Sequence, residues 1–460
     1  MAADARDVSR SMAEMAATVT LDALSGPALE AAKMSILDTL GVALAASGAE
    51  PAVQGLVDLV GEDGGREEST VWGRGIRVPA TNAAFANGAM AHCLDFDDQT
   101  PWGQHASSSV VPAALAASER AGTVTGADLI AAVAAGQDIF ARLRCHVGWR
   151  KDWNLSSVAG VYAAAAAASR VLDLPSTTLH HALGIASQQS AGIAEVITGT
   201  GSDLRCVYAG FAARGAVTAA LLAQRGLTGV DLLFEGPYGV FNTYFGGRHD
   251  RDAMLADLGT DFRGAGTLYK LWPSVGTSHS HIHATIELLA EHHLEPEDIE
   301  EIRVFVGDYH QVMCTPLDDR RAPETLVDAK FSLPFLVALA AVHRSVRVAH
   351  FTDAGLHDDR VRSLAVKVTP VLDTSLDWKL ELPPGRVEVV TNDGRRFQRE
   401  GSGYPGSPQA PTTWDQLAQK FRECAGVAAH PPTPANVESV IDLVRDLESV
   451  PDVAAIVRRV

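Results

Sequence analysis

Three carboxylates and two imidazoles fall within fourteen residues of this chain, in the run from His92 to His105 that contains Asp95, Asp97 and Asp98. Carboxylate and imidazole groups held close together are the usual components of proton-transfer sites, since burial and neighbouring charges move their pKa values towards neutrality. The same residues could instead form a solvated acidic loop with two incidental histidines. The stretch is therefore a candidate site for acid–base chemistry.

The segments around this stretch are predicted to be helices. From about residue 10 to 245 the chain is dominated by runs of alanine, leucine and valine of helical length, at 27–46, 81–93, 108–121, 127–143, 156–172, 177–194 and 207–225. Propensity and length both favour helices over strands. Several runs are apolar nearly all round, which is typical of buried helices. We expect a large all-helical domain over residues 1–266.

The pattern changes after the polar stretch 246–266. Alternation of period two predicts strands at 302–306 and 364–368 and a hairpin, 387–391 with 396–399, around Asn392-Asp393-Gly394. Helical segments at 278–292, 324–341 and 354–360 lie between them, which favours a smaller α/β lid domain over 267–405. Helices at 413–425 and 435–449, in the last part, 406–460, are expected to return to the helical domain. The predicted fold class is mainly α plus α/β.

The composition argues against several classes of protein. The formal net charge is −18 and no block of lysines or arginines is present, so we expect neither a nucleic-acid partner nor an anionic membrane surface. No apolar run reaches the roughly 18 residues of a membrane span. The first residues lack a basic segment followed by an apolar one, so we expect no secretory signal and a cytoplasmic location.

Neither the cysteines nor the histidines predict a metal site. The five cysteines are odd in number and widely spaced, without a C-x-x-C pair, which argues against a disulfide framework and against zinc or iron–sulfur sites. His279, His281 and His283 cannot all share one face of a helix, and no glutamate completes an H-E-x-x-H arrangement. A magnesium ion at Asp97 and Asp98 is conceivable, but these residues are better explained as fixing the loop.

The order of elements and several local runs resemble the MmgE/PrpD family, which contains 2-methylcitrate dehydratase, cis-aconitate decarboxylase and iminodisuccinate epimerase. The resemblance covers nearly the whole chain. The residues that carry it are Ala84–His92 followed by Asp95–Asp98, His105 before Ser107–Pro112, Gly160–Ala168, Tyr208–Gly210, Leu222–Gly229, Lys270–Ser274, His279 and Phe331–Phe335. The resemblance implies a homodimer with its active site between the helical domain and the lid, acting on a small di- or tricarboxylate without a metal or organic cofactor.

The resemblance also implies roles for individual residues. His105, with Asp95 ten residues before it, is expected to be the general acid/base, and Asp95 would orient its ring. Lys270 precedes the family's aromatic-Pro pair, and its ammonium would pair with a substrate carboxylate and favour the enediolate charge. Ser274 and His279 are expected to bind substrate, although His279 could merely complete a helix cap.

An arginine binds a carboxylate with two parallel hydrogen bonds, so Arg205 is the expected carboxylate clamp. A second basic group consists of Arg142, Arg144, His146, Arg150 and Lys151. Of these, Arg142, Arg144 and Arg150 are expected to lie on a solvated face of the protein.

The chain departs from the family pattern at four positions that bear on activity. Gln99 followed by Thr100 stands where Thr is common after Asp-Asp, and Asn154 replaces a second histidine. In the family's Lys-Arg-x-His run, Arg205 replaces a lysine and Tyr208 a histidine. Asn cannot accept a proton as a base and Arg stays protonated, so the site keeps its capacity to bind carboxylates but has fewer groups that exchange protons. Tyr208 could supply part of the lost acid, and Gln99, Thr100 and Asn154 are expected to contact substrate.

We therefore predict a cofactor-independent dehydratase that removes a proton alpha to a carboxylate of a small hydroxy di- or tricarboxylate. Epimerisation of the iminodisuccinate type and decarboxylation of the cis-aconitate type proceed through similar carbanions and stay open. A carboxylate-binding protein that has lost its activity is the alternative outside the enzymes.

Overall fold

The computed structural model describes residues 7–198 and 202–460. The part of the chain before residue 260 is helical apart from one short hairpin, β1 (Ser69–Val71) and β2 (Ile76–Val78). Its helices are α1 (Val8–Thr18), α2 (Gly26–Ala49), α3 (Gln54–Asp63), α4 (Ala80–His92), α5 (Ser107–Ala121), α6 (Gly126–His146), α7 (Leu155–Val158), α8 (Gly160–Val171), α9 (Ser176–Ala186), α10 (Glu195–Thr198), α11 (Leu204–Gln224), α12 (Val240–Phe245) and α13 (Arg251–Leu255).

The later part mixes helices with a four-stranded sheet. Its elements are α14 (His279–Glu291), β3 (Ile299–Val306), α15 (Leu317–Arg321), α16 (Leu326–Lys330), α17 (Leu333–His343), α18 (Asp353–Leu356), α19 (Asp359–Ala365), β4 (Val368–Leu372), β5 (Arg386–Thr391), β6 (Arg396–Glu400), α20 (Trp414–Gly426), α21 (Pro434–Arg445) and α22 (Ala454–Val457). The strand order is β4-β3-β5-β6, parallel for β3 with β4 and antiparallel elsewhere. The predicted class, mostly helical with an α/β part, agrees with this structure.

Glycines allow α4 and α11 to cross closely. A Cβ added at Gly88 would lie 3.0 Å from the Cα of Gly210, and a Cβ at Gly210 would strike the carbonyl of Phe85. A larger residue at either position would force the two helices apart, at a cost typical of overpacking. This crossing brings the last residue of α4, His92, against Tyr208 near the start of α11, with ring centroids 4.4 Å apart.

The C-terminal helices α20 and α21 pack on α2. The ring of Phe421 in α20 packs against Gly41 of α2, where an added Cβ would lie 3.0 Å from the ring. Thr413 and Gln416 form a capping box that fixes the start of α20. Helix α11 is long and apolar enough by composition to cross a membrane, but it is mostly buried, as is the core helix of a globular protein.

Three predicted elements are wrong in detail. The helix predicted at 177–194 ends at Ala186, and the chain then reaches Gly192, whose φ of 137° suits glycine alone. The predicted helix 324–341 is interrupted because Ser332 caps a new helix, α17, with Pro334 in its first turn. The strand predicted at 364–368 instead covers the last two residues of α19, a turn, and the first residue of β4, Val368.

The expected solvated basic face is also wrong for two of its members. Arg142 is fully buried and Arg144 is 5% exposed, whereas Arg150 is exposed. Arg142 pairs with Asp138 and donates to carbonyls of the segment around α13. The predicted helix 127–143 contains Arg142 but ends before Arg144, whereas α6 extends to His146. Sequence pattern could not show that a later segment covers Arg142.

Candidate active site

The loop between α4 and α5 holds the acidic and imidazole groups. Two of its non-glycine residues, Asp95 and Gln104, have left-handed backbone, with φ of 48° and 64°. Such conformations are uncommon outside glycine and persist where surrounding contacts fix them. The backbone N–H of His105 donates to Ser156 Oγ at 3.1 Å, which is one of those contacts. The loop is thus held in a shape that turns its side chains towards one another.

Asp97 joins two imidazoles. Its Oδ2 lies 3.0 Å from Nδ1 of His92 and 3.1 Å from Nδ1 of His105. The Nδ1 of His105 also lies 2.7 Å from the carbonyl oxygen of Asp98. Because a carbonyl oxygen only accepts, the ring of His105 must carry a proton on Nδ1.

The other nitrogen of His105 is available for chemistry. Within the described residues Nε2 makes no hydrogen bond, and the nearest carboxylate oxygen is Oδ1 of Asp95 at 4.0 Å. Asp95 is itself paired with Lys270, whose ammonium bonds to its carboxylate and donates to its carbonyl oxygen at 3.0 Å. The arrangement is a chain from Lys270 through Asp95 to an imidazole whose far side is fixed by Asp97.

Opposite charges set the protonation states in this cluster. Burial alone would raise the pKa of Asp97, but His105 and His92 outweigh it and hold that pKa well below its usual range. Burial also opposes the charged form of His105, yet Asp97, with help from Asp95, raises its pKa above the ordinary value of 6.5. The pKa of Asp95 is lowered because Lys270 and the imidazoles outweigh burial. The raised pKa of His105 favours the imidazolium form of its ring.

A cavity of ≈ 60 Å³ lies in front of these groups. Most of the predicted site residues line it, namely Asp95, Gln99, His105, Asn154, Arg205 and Tyr208. His92 and Gln104, from the same loop region, also line it. Further lining residues come from later parts of the chain and include Ser156, Ile197, Gly276, Tyr309, Phe331, Trp378 and Leu382. The structure thus brings the loop, the start of α11 and the α/β part together around one cavity.

Two polar groups at the start of α11 face the cavity. The guanidinium of Arg205 is buried over the ring of Phe331 and bonds to the carbonyl of Ile197, and no carboxylate of the described chain lies within 4 Å. Burial lowers its pKa to about 10, so it stays charged. Burial, followed by the charges of Asp95 and Asp97, raises the pKa of Tyr208 well above its usual range. Tyr208 is a neutral phenol that can donate a hydrogen bond.

Asn154 and Gln99 have structural as well as lining roles. Asn154 accepts a hydrogen bond from the backbone of Ser156 at 3.1 Å and so begins α7. Gln99 pairs with Leu268 through the backbone, and its amide fills the space that a Cβ at Gly276 would occupy.

Four predicted site residues do not line the cavity: Thr100, Lys270, Ser274 and His279. Thr100 donates to the carbonyl of Gly103 within its own turn, and Ser274 bonds to Ser278 at 3.1 Å. His279 is buried at the start of α14, where burial lowers its pKa to about 3 and keeps it neutral. Lys270 reaches the site only through Asp95.

Tyr309, Trp378 and Leu382, three lining residues from the later part of the chain, were not predicted from the sequence. Tyr309 follows β3, while Trp378 and Leu382 lie in the loop between β4 and β5. Nothing in their local sequence distinguishes them from core aromatic and aliphatic residues. Gln104 was adjacent to the predicted histidine but carried no signal of its own.

His92, Asp97 and His105 place three ligand-type atoms within 4.8 Å of one another. A metal would need an unprotonated nitrogen from each ring. The Nδ1 of His105 donates to the carbonyl of Asp98, so this nitrogen has no lone pair to offer in the observed arrangement. In the observed arrangement the three residues form a hydrogen-bonded cluster around Oδ2 of Asp97.

The cavity of this mainly helical fold thus combines an imidazole–carboxylate cluster, which can transfer protons, with a guanidinium that can bind an anion. Two family models match the chain, the MmgE/PrpD N-terminal domain over residues 10–252 and the MmgE/PrpD C-terminal domain over residues 272–447. The chain belongs to the MmgE/PrpD family.

Curated relatives agree with this assignment. The chain is 28% identical to cis-aconitate decarboxylase of Mus musculus, over 98% of this chain and 93% of the relative. It is 29% identical to the Homo sapiens protein of the same name, over 84% of this chain and 80% of the relative. It is 27% identical to cis-aconitate decarboxylase of Aspergillus terreus, over 97% of this chain and 94% of the relative.

Proposed function

We propose that this protein is a lyase that acts on a small di- or tricarboxylate by proton transfer through His105. The observation that carries the proposal is the state of that ring: Nδ1 is fixed by Asp97 and the carbonyl of Asp98, while Nε2 is free at a cavity. The family and the relatives, which are cis-aconitate decarboxylases, support a carboxylate substrate.

Among lyase reactions, we favour decarboxylation of an unsaturated polycarboxylate. The bond between carbon and the departing carboxylate breaks, the electron pair shifts into the carbon framework, and CO2 leaves. A carbon of the framework takes the proton from Nε2 of His105, which is then restored from solvent. The raised pKa of His105 favours the charged ring, which can donate a proton at the start of turnover. Arg205 would hold a carboxylate that is retained.

Dehydration, the reaction predicted from the sequence, is the second candidate. His92 and His105 both line the cavity and share Asp97. One ring could therefore take the proton alpha to a carboxylate while the other protonates the departing hydroxide. The same pair could reprotonate the carbanion on its other face, which would be epimerisation.

One panel of assays separates these reactions. We expect the purified protein to release CO2 from cis-aconitate or a related unsaturated acid. New alkene absorbance from a hydroxy acid would favour dehydration, and exchange of a carbon-bound proton with deuterated water without either product would favour epimerisation. Binding of these acids without any turnover would contradict the proposed enzyme and support a carboxylate-binding protein.

His105→Gln should lower kcat by about 10²-fold or more while leaving the fold intact, because the ring is the only proposed proton donor to carbon. His357→Gln, at an exposed histidine, is the matched control. A His105→Gln protein with wild-type turnover would remove His105 from the mechanism.

A further inference from the structure

Arg144 is a buried cation without a counter-ion. It is 5% exposed, and no carboxylate of the described chain lies within 4 Å of its guanidinium. Arg142, two residues earlier in the same helix, is also buried, but its guanidinium pairs with the carboxylate of Asp138 at 2.7 Å. Burying an unpaired charge is costly, so such a group usually serves a ligand or a network. Burial lowers the pKa of Arg144 to about 10, and it stays charged near neutrality.

The contacts of Arg144 direct it towards the cavity described above. Its Nε donates to Oε1 of Gln104, a lining residue, and its Nη2 donates to the carbonyl of Trp102 at 2.8 Å. The guanidinium lies 5.1 Å from the ring of Trp149 and 5.8 Å from that of Trp378, which also lines the cavity. With the amide oxygen of Gln104 engaged, its NH2 group is the end left to donate to a ligand.

The charges around the cavity leave a positive excess. Lys270 balances Asp95, and the imidazolium of His105 balances Asp97. The guanidiniums of Arg144 and Arg205 remain, each without a carboxylate partner among the described residues. Both charges act on the phenol of Tyr309, which lines the cavity. Arg205 lines the cavity, and Arg144 lies behind its lining residue Gln104, so the positive potential at the cavity has two separate sources and suits a ligand with two carboxylates.

We propose that Arg144 and Gln104 form a second carboxylate-binding position in the active-site cavity, distinct from Arg205, which selects substrates with at least two carboxylates. The inference rests on the proposed function, because it assigns the substrate class of the same site. Gln104 would contact the second carboxylate through its NH2 group. Arg144 is a positioning residue that orients this amide and supplies the positive potential behind it.

Gln104→Glu is the sharpest test, because it gives Arg144 the missing counter-ion from within the chain. We expect the midpoint of thermal unfolding to rise by about 2 °C, since a buried charge gains a partner, while affinity for the unreactive tricarboxylate tricarballylate falls about 10-fold or more. Binding of the monocarboxylate butyrate should hardly change. Gln409→Glu, which adds the same charge at an exposed position, is the matched control.

Arg144→Met is the second variant. It should weaken tricarballylate binding by a similar factor and, if the protein turns over a polycarboxylate, raise KM with a smaller effect on kcat. A purely structural role would instead lower the unfolding midpoint without changing the ratio of tricarballylate to butyrate affinity.

The outcomes separate the inference from the proposed function. Calorimetry that finds equal tricarballylate affinity in wild type, Gln104→Glu and Arg144→Met overturns the inference even if the enzyme is active. Selective loss of tricarballylate binding in both variants supports it even if no substrate is turned over. A wild-type protein that binds no di- or tricarboxylate overturns both.

Discussion

At the scale of single residues, Asp97 governs the pH dependence of the site. It raises the pKa of His105 against the effect of burial, so the ring loses its proton only as the pH rises past a value above 6.5. Asp97→Asn removes that charge, so burial and Lys270, which both lower the pKa of His105, then outweigh the effects that raise it. We expect the alkaline limb of the pH profile of kcat/KM to move to lower pH.

The measurement is the pH–rate profile of the free enzyme, compared between wild type and Asp97→Asn. Asp203→Asn, at an exposed carboxylate, provides the control. An alkaline limb that stays in place would show that a group other than His105 limits the reaction.

Much of the candidate site could be predicted because its acids and bases are close in sequence. Asp95 and His105 are ten residues apart in one loop, and their convergence with Arg205 and Tyr208 follows from the family's arrangement of elements. The orientation of Lys270 could not be predicted, because it depends on the left-handed turn at Asp95. A sequence shows that a lysine is near a site but not which anion it pairs with.

At the scale of elements, Lys420 ties the C-terminal helix α20 to the catalytic loop. Its ammonium bonds to Asp38 of α2 at 2.7 Å, to the carbonyl of Phe96 at 2.6 Å and to that of Lys270 at 2.9 Å. Lys420→Met should lower the free energy of unfolding by about 3 kcal/mol, because it leaves Asp38 buried and without its cation. Denaturant titration measures this loss.

A double-mutant cycle separates the charge from the packing. Asp38→Asn combined with Lys420→Met should recover part of the lost stability, whereas Lys379→Met at the surface should cost little. Strict additivity of the two single substitutions would contradict a direct interaction between Asp38 and Lys420.

The boundaries of elements were predictable where a local signal marks them. Ser25 with Pro27 marks the start of α2, and the Asn392-Asp393-Gly394 turn marks the hairpin of β5 and β6. The false strand at 364–368 shows the limit, since five alternating residues fit the end of a helix as well as a strand. Contacts with distant segments decide such cases.

At the scale of the whole molecule, we propose that one face of α11 forms the interface of a homodimer. Leu204, Phe211 and Leu222 recur on one side of this helix and are 48%, 52% and 38% exposed, although most of the helix is buried. An apolar stripe on an otherwise buried helix is typical of a surface that a second copy covers.

Sedimentation velocity tests this assembly. Wild type should sediment as a dimer, and Phe211→Glu should shift it towards monomer because the carboxylate would lose its hydration at the interface. Gln224→Glu adds the same charge on the opposite side of the helix. A wild-type monomer, or a Phe211→Glu dimer of unchanged stability, would contradict the proposed interface.

The fold class was predictable, because helical runs dominate the first part of the chain and the alternation typical of strands appears only in the later part. The boundaries proposed for its parts, at residues 266 and 405, remain predictions. The burial of Arg144 could not be foreseen, because one of the rings that pack on it, Trp378, comes from the loop between β4 and β5.

Trp378 lines the cavity and also packs against Gly103, where its ring would lie 2.6 Å from an added Cβ. Its indole therefore reports on occupancy of the cavity without any label. Binding of tricarballylate should change the intrinsic fluorescence of the protein, and Trp378→Phe should abolish most of that change although six other tryptophans remain among the seven of the chain. An emission signal that survives this substitution would place the sensing indole elsewhere.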